Sequence, residues 1–242
     1  MDLLIDVHNH TIISGHAYST IMEIVTEAKS KGLRLVGITD HGPYMPGVLG
    51  KAFISNQHII PKYINGIEVI SGVEANIIDQ YGSLDVPEKI LRKLDIIIAG
   101  LHDIVIKPWE EQENTKALLS TLENKYVDII SHPGNVLFPI DKKAVVFKAK
   151  ETGKLLELNN GTFYSNNRAG SANNCYEIIR LCKKYEVPII VGSDSHFALE
   201  VGRFDKALEV LQSIDFPEKL VINTSIENFK IFLEKRNKEK QT

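Results

Sequence analysis

Cysteine is almost absent from this chain, which has two in 242 residues, Cys175 and Cys182. They stand seven apart in what reads as one helix, too far from each other to pair. A disulfide framework is therefore excluded, and a reducing, cytoplasmic setting fits. Long apolar runs are also missing, and none approaches the roughly 18 residues needed to span a bilayer. The first residues carry no basic region, and Asp2 and Asp6 interrupt the apolar ones, which argues against a signal peptide. Charge of one sign is lacking too: the formal net charge is -3, with no block of lysine and arginine to track a phosphate backbone. That argues against nucleic acid as the main partner, although a metal site can hold phosphate without a basic surface. No linker, low-complexity tract or fixed-period repeat divides the chain, and no exposed apolar stripe specifies an oligomer.

What is present matches an ordinary globular protein, 43% apolar and 24% charged. Short apolar runs rich in β-branched residues recur over 3–7, 35–39, 69–73, 96–99, 127–131, 155–158 and 189–191, the pattern of buried parallel strands. Helical spacing separates them. Ile21, Ile24, Val25 and Ala28 form one stripe that ends near Gly32. Further helices are expected over 87–94, 113–125, 141–152, 175–185 and 204–214. Residues 42–66 lack a continuous signal and read as a long, loop-like connection. The charged stretch 234–242 reads as a solvated helix end. Strand and helix alternating without a break specify one parallel α/β domain over 1–242. Periodicity leaves open whether its sheet closes.

Ligand-type residues follow the strands. The first runs into His8 and His10, which share a side because strand residues two apart do. The second ends in Asp40 and His41, the third in Glu74, the fourth near His102, the fifth at His132 and the seventh at Asp194 and His196. The sixth offers the amides Asn159 and Asn160, and His16 lies in the loop after the first. In a parallel α/β fold all these strand ends meet on one face, where active sites are built. A lone histidine after a strand is more often a satisfied polar residue than a ligand. Seven of the eight histidines confined to one face reverse that expectation and point to a metal site. His58, in the irregular segment, reads as a loop residue.

His8-Asn9-His10, His16, Thr39-Asp40-His41, Gly72-Val73-Glu74, Gly100-Leu101-His102, Ile130-Ser131-His132-Pro133 and Gly192-Ser193-Asp194-Ser195-His196, in this order, resemble the PHP (polymerase and histidinol phosphatase) superfamily. The likeness is to its stand-alone phosphatases of the YcdX type and spans almost the whole chain. It implies a distorted (β/α)7 barrel of parallel strands holding three divalent ions, zinc first, with manganese or iron as alternatives. It further implies that His8, His10, Glu74 and Asp194 hold one ion. Glu74, His102 and His132 would hold a second, with Glu74 bridging, and His16, His41 and His196 a third. Spacing alone does not assign ligands to particular ions.

Three such ions leave about four positive charges after Glu74 and Asp194, because histidines bind as neutral imidazoles. A phosphate ester suits that excess better than a neutral amide. The expected activity is hydrolysis of phosphate monoesters of a small molecule, with a metal-activated hydroxide as nucleophile. Asp40 is a candidate either to orient a histidine or to protonate the leaving group. Arg168 and Asn160 are candidate substrate contacts, Arg168 for its planar fork of donors, with Arg203 a weaker one. Tyr44, Met45 and Pro46 are candidates for an apolar wall, and Trp109 for the same role or for packing a helix start. The alternatives are a phosphodiesterase or exonuclease acting on nucleic acid, and a metal-binding regulatory module without turnover. An amidohydrolase would need a lysine at a strand end, and none is there.

Overall fold

Seven parallel strands form the frame of the protein in a computed structural model, which describes residues 1–241. They are β1 (Ile5–Asp6), β2 (Leu35–Ile38), β4 (Ile67–Asn76), β5 (Ile96–Gly100), β6 (Ile129–Ile130), β7 (Leu155–Asn159) and β8 (Ile189–Gly192), paired in that order. A further strand, β3 (Tyr63–Ile64), pairs antiparallel with β4. Beyond the ladders, Asn9 bridges Ser195, and the Asn223 side chain spans the gap between β1 and β8. Its amide donates to Ile5 O and Val191 O, both at 2.8 Å, and its oxygen accepts from Val191 N at 2.7 Å. The sheet thus closes into a distorted barrel, with one asparagine and the Asn9–Ser195 bridge doing what a strand ladder would do in a regular one.

Strand alternation divides the interior. Ile96 and Ile98 belong to a cluster with Ile5, Val7, Leu35, Ile70, Ile129, Leu155, Ile190 and Phe229, which fills the barrel. Ile97 and Ala99 belong to the larger cluster shared with the helices. The barrel-facing column changes character along each strand: Ile70 gives way to Gly72 and Glu74, Leu155 to Glu157, and Ile190 to Gly192. Apolar packing closes one end, and ionisable groups collect at the C-terminal end.

The helices are α1 (Ile21–Ser30), α2 (Lys51–Ser55), α3 (Glu88–Leu91), α4 (Glu111–Glu123), α5 (Lys142–Thr152), α6 (Ala172–Tyr185), α7 (Asp205–Ser213) and α8 (Ile226–Gln241). Local chemistry sets their ends. Thr20 and Glu23 form a capping box on α1, and Asp141 caps α5, which stops at left-handed Gly153. The segment 42–66, expected as a loop, holds α2 and β3. Asn65 and Gly66, both at positive φ, make the two-residue turn into β4.

The C-terminal end departs from expectation as well. The stretch from 234 is helical to Gln241, and Arg236 and Lys240 are buried on the carboxylate of Asp128. These partners, distant in sequence, make the charged end part of the barrel floor; Thr242 lies outside the described residues. No described helix is long and apolar enough to cross a membrane.

Candidate metal centre

Glu74 stands at the centre of the C-terminal face, fully buried on the long strand β4. Its Oε1 lies 2.9 Å from His132 Nε2 and 3.2 Å from His102 Nε2. Its Oε2 lies 2.8 Å from His41 Nδ1, 3.3 Å from His8 Nε2 and 3.6 Å from His10 Nε2. Asp194 Oδ1 faces His10 Nε2 at 3.2 Å and His8 Nε2 at 3.4 Å. Further out, the Nε2 atoms of His16 and His196 approach to 3.0 Å. Every sequence-identified ligand candidate is therefore in one cluster. His58 is apart from it, exposed and facing Ser55 O.

Among the described residues, the buried side-chain atoms without a hydrogen-bond partner are His8 Nε2, His10 Nε2, His41 Nδ1, Glu74 Oε2 and Ser131 Oγ, the 2.8 Å approach of His41 Nδ1 to Glu74 Oε2 being off the angle of a hydrogen bond. Four of these five converge on one point. Orphaned polar atoms are costly in a protein interior, and a cation is the partner they share. The separations also fit: two ligands of one tetrahedral zinc, each about 2 Å from the ion, lie about 3.3 Å apart. Three groups have mutually close donors: His8, His10 and Asp194; His10, His41 and His196; and His41, Glu74 and His102. His10 and His41 each belong to two of these groups, so distance places His41 with Glu74 and His102 as well as with His196.

Three of the imidazoles are aimed from behind. His8 Nδ1 is 2.6 Å from Glu157 Oε1, His102 Nδ1 is 2.7 Å from Asn76 Oδ1, and His10 Nδ1 is 3.1 Å from Ser14 Oγ. Ser14 in turn donates to Asp40 Oδ1 at 2.7 Å. These contacts turn Nε2 of all three rings into the cluster. Asp40 also accepts from Thr11 N at 2.7 Å and from the Thr11 hydroxyl. It does not line the cavity above the cluster, and its place is that of a group acting through Ser14 on His10. Two ligand candidates have left-handed backbone, His132 at φ 31° and Asp194 at φ 57°. Such strain persists only where surrounding contacts hold it.

The charge field prepares lone pairs. Burial pulls His41 down to about 3 and His132 down to about 4, and it lowers His10 well below 6.5. These rings are neutral at pH 7 and free to donate to a cation. Burial acts the same way on His8, but Glu157, Glu74 and Asp194 outweigh it and raise that ring well above 6.5. Burial opposes ionisation of Glu74, yet the surrounding histidines, His8 first, hold it well below the usual carboxylate range.

A cavity of about 620 Å³ opens above the cluster, reaching His16, His41, His102, Asp194 and His196. Arg168 lines it and is nearly buried, with Nη1 2.8 Å from Asp194 Oδ2. Asn160 lines it too, but its amide oxygen accepts from Ala207 N at 2.9 Å and its nitrogen faces Asp205. Arg203 is at the rim, 3.5 Å over the ring of Tyr164. Met45 and Pro46 contribute apolar wall, whereas Tyr44 is exposed and outside it. Trp109 packs at the start of α4 against Asn114. Sequence reasoning passed over Glu157 and Asn76. A lone glutamate between Leu156 and Leu158 was the available signal for the first.

The PHP domain model matches residues 6–167, and a PHP-associated model matches residues 172–208. A protein of Acetivibrio thermocellus named probable phosphatase is 49% identical over 240 residues, covering 99% of this chain and 98% of the relative. Among solved structures, histidinol phosphate phosphatase from Lactococcus lactis, complexed with zinc, L-histidinol and phosphate, aligns with a TM-score of 0.62 at 18% identity. The alignment covers 88% of this chain and 94% of that one. A chain of archaeal ribonuclease P with mature tRNA aligns with a TM-score of 0.61 at 17% identity, covering 98% and 93%. At such identities the two structures speak for the fold alone.

Proposed function

This chain belongs to the PHP domain family and is a phosphatase, and from that premise we propose that it hydrolyses phosphate monoesters of a small molecule at a centre of three divalent ions. The observation that carries the reading is the set of orphaned donors, His8 Nε2, His10 Nε2, His41 Nδ1 and Glu74 Oε2, at the floor of an open cavity. His8, His10, Glu74 and Asp194 would hold the first ion, Glu74, His102 and His132 the second, and His16, His41 and His196 the third. Nitrogen and carboxylate donors suit zinc, with manganese or iron as alternatives. Such ions, when bound, supply Lewis acidity and a water that is reactive at neutral pH.

The chain's own residues do the rest. Glu157, Asn76 and the Asp40–Ser14 pair fix imidazole orientation before any substrate arrives. Arg168 holds Asp194 with one nitrogen, and among the described residues its Nε and Nη2 make no hydrogen bond to protein. Those donors are available to phosphoryl oxygens, in the geometry that a guanidinium fork favours. The carboxylates Glu74, Asp194 and Glu157, set against three ions and Arg168, leave about four positive charges, which a phosphate dianion offsets and a neutral amide does not. The cavity has the size of a small-molecule site.

Metal analysis of the purified protein, followed by a screen of phosphomonoesters, phosphodiesters and amides, tests the proposal. The expected result is about three metal equivalents per chain and monoester hydrolysis that a chelator abolishes and zinc or manganese restores. Cleavage of diesters or amides only, or of nothing with metal bound, would overturn it.

A further inference from the structure

Burying a carboxylate inside a barrel is unfavourable unless every lone pair finds a partner, which makes Glu157 informative. It lies on β7 between Leu155 and Asn159 on the barrel-facing side and is 4% exposed. Its Oε1 meets His8 Nδ1 at 2.6 Å. Its Oε2 accepts from His132 N at 2.9 Å and from Asn159 Nδ2 at 3.0 Å. One side chain thus touches two ligand candidates from different strands, and one of them, His132, has the left-handed backbone that needs such support.

A second observation is independent of these contacts. Gly192 on β8 is not at positive φ, so its backbone admits any residue. A Cβ there would stand 1.9 Å from Glu157 Oε1 and 3.1 Å from His8 Cβ. The glycine leaves the space through which the carboxylate reaches His8. From this juxtaposition we propose that Glu157 is a positioning residue that sets His8 and His132 together, joining the first and second ion sites through one carboxylate. The proposal rests on the metal-centre reading above.

Glutamine is the discriminating replacement, because neither orientation of its amide satisfies the site. With oxygen toward His8, its NH2 group faces two other donors, His132 N–H and the Asn159 amide. With NH2 toward His8, the ring must accept at Nδ1, which moves its proton to Nε2, the atom that faces the cluster. Gly192→Ala makes the complementary change, keeping the carboxylate and displacing it.

The experiment measures zinc affinity by competition with a chromophoric chelator, and the visible spectrum of the cobalt-substituted protein, for wild type, Glu157→Gln and Gly192→Ala. Circular dichroism and melting of the chelated proteins run alongside. The expected result is that both variants fold, bind one or two of the ions about 10- to 100-fold more weakly, and show altered cobalt bands. Affinity and spectrum equal to wild type in a folded variant would overturn the proposal. So would failure of both variants to fold, which would give Glu157 to stability alone. Neither readout uses a substrate. Wild type that binds no metal would sink the metal-centre reading, whereas variants that match a metal-binding wild type would sink this proposal only.

Discussion

Arg168→Met separates the hold of this side chain on Asp194 from its proposed contact with phosphate. The side chain is 16% exposed, and its Nη1 donates to Asp194 Oδ2 at 2.8 Å. Asp194 Oδ2 keeps a second donor, Asn159 Nδ2 at 3.1 Å, so the carboxylate is not orphaned when the arginine goes. A charge-assisted hydrogen bond contributes about 1.5–3 kcal/mol. If Nε or Nη2 makes one such bond to a phosphoryl oxygen, methionine should lower kcat/KM by roughly 10- to 150-fold. A bond of equal strength in ground and transition states appears in KM, and one that strengthens in the transition state appears in kcat. Lysine keeps the charge and loses the fork, so Arg168→Lys should fall between the two.

The assay is steady-state hydrolysis of p-nitrophenyl phosphate at saturating metal, with metal content measured on the same samples. Asn159→Ala is the comparison, because it removes the other hold on Asp194, together with a donor to Glu157 and an acceptor of Arg168 Nη1, and takes no donor from the cavity wall. A kcat/KM within about twofold of wild type for fully loaded Arg168→Met would refute the substrate contact. Equal losses in Arg168→Met and Asn159→Ala, both tracking metal content, would mean that the arginine serves only Asp194.

Two further predictions concern the opposite end of the barrel. Asp128 is fully buried, with Oδ1 3.3 Å from Arg236 Nε and Oδ2 2.8 Å from Lys240 Nζ; Asp128→Asn takes the buried carboxylate from Lys240 and leaves Arg236 with Glu239 alone, which should cost about 3–5 kcal/mol in urea unfolding, with kcat/KM unchanged, and a variant as stable as wild type would refute the clasp. Lys154 is buried beside Arg236, which together bring it down from 10.5 to about 7. The unfolded chain therefore binds more protons than the folded one between about pH 7 and 10.5, so stability rises with pH across that window on this group's account. Lys154→Met should remove that rise, worth up to a few kcal/mol, and parallel stability curves for the two proteins over pH 7–10 would refute it.

How much of this was legible depended on whether a residue's partner was near it in sequence or far away. The periodicity of Ile24, Val25 and Ala28 and the Asp141 and Gly153 ends of α5 are local, and the structure matches them. The strand-end histidines were legible for a different reason. Parallel strands bring all their C-terminal ends to one face, so topology alone gathers His8, His41, Glu74, His102, His132 and His196. The Asn65-Gly66 turn was a local signal that weak helical patterning around it obscured. Glu157 was not legible as a partner of His8, 149 positions away, because only barrel closure joins β7 to β1. Arg236 and Lys240 looked like solvated charge for the same reason, since nothing near them in sequence announces Asp128.

The carboxylate oxygens show how the cluster is divided. Glu74 has both oxygens inside it, Oε1 toward His102 and His132 and Oε2 toward His8, His10 and His41. A carboxylate so placed touches two histidine sets at once, which supports the proposal that it bridges two ions. Asp194 is different, with Oδ1 toward His8 and His10 and Oδ2 turned to Arg168 and Asn159. Glu157 puts neither oxygen among the donors and acts on His8 and His132 from behind. The cluster therefore has a closed side, where Glu157 and Glu74 are fully surrounded by protein. Its open side carries Asp194, Arg168, half-buried His196 and exposed His16. On the proposed reading a phosphoryl group would enter from the open side and meet Arg168, whose Nε and Nη2 make no hydrogen bond to protein among the described residues.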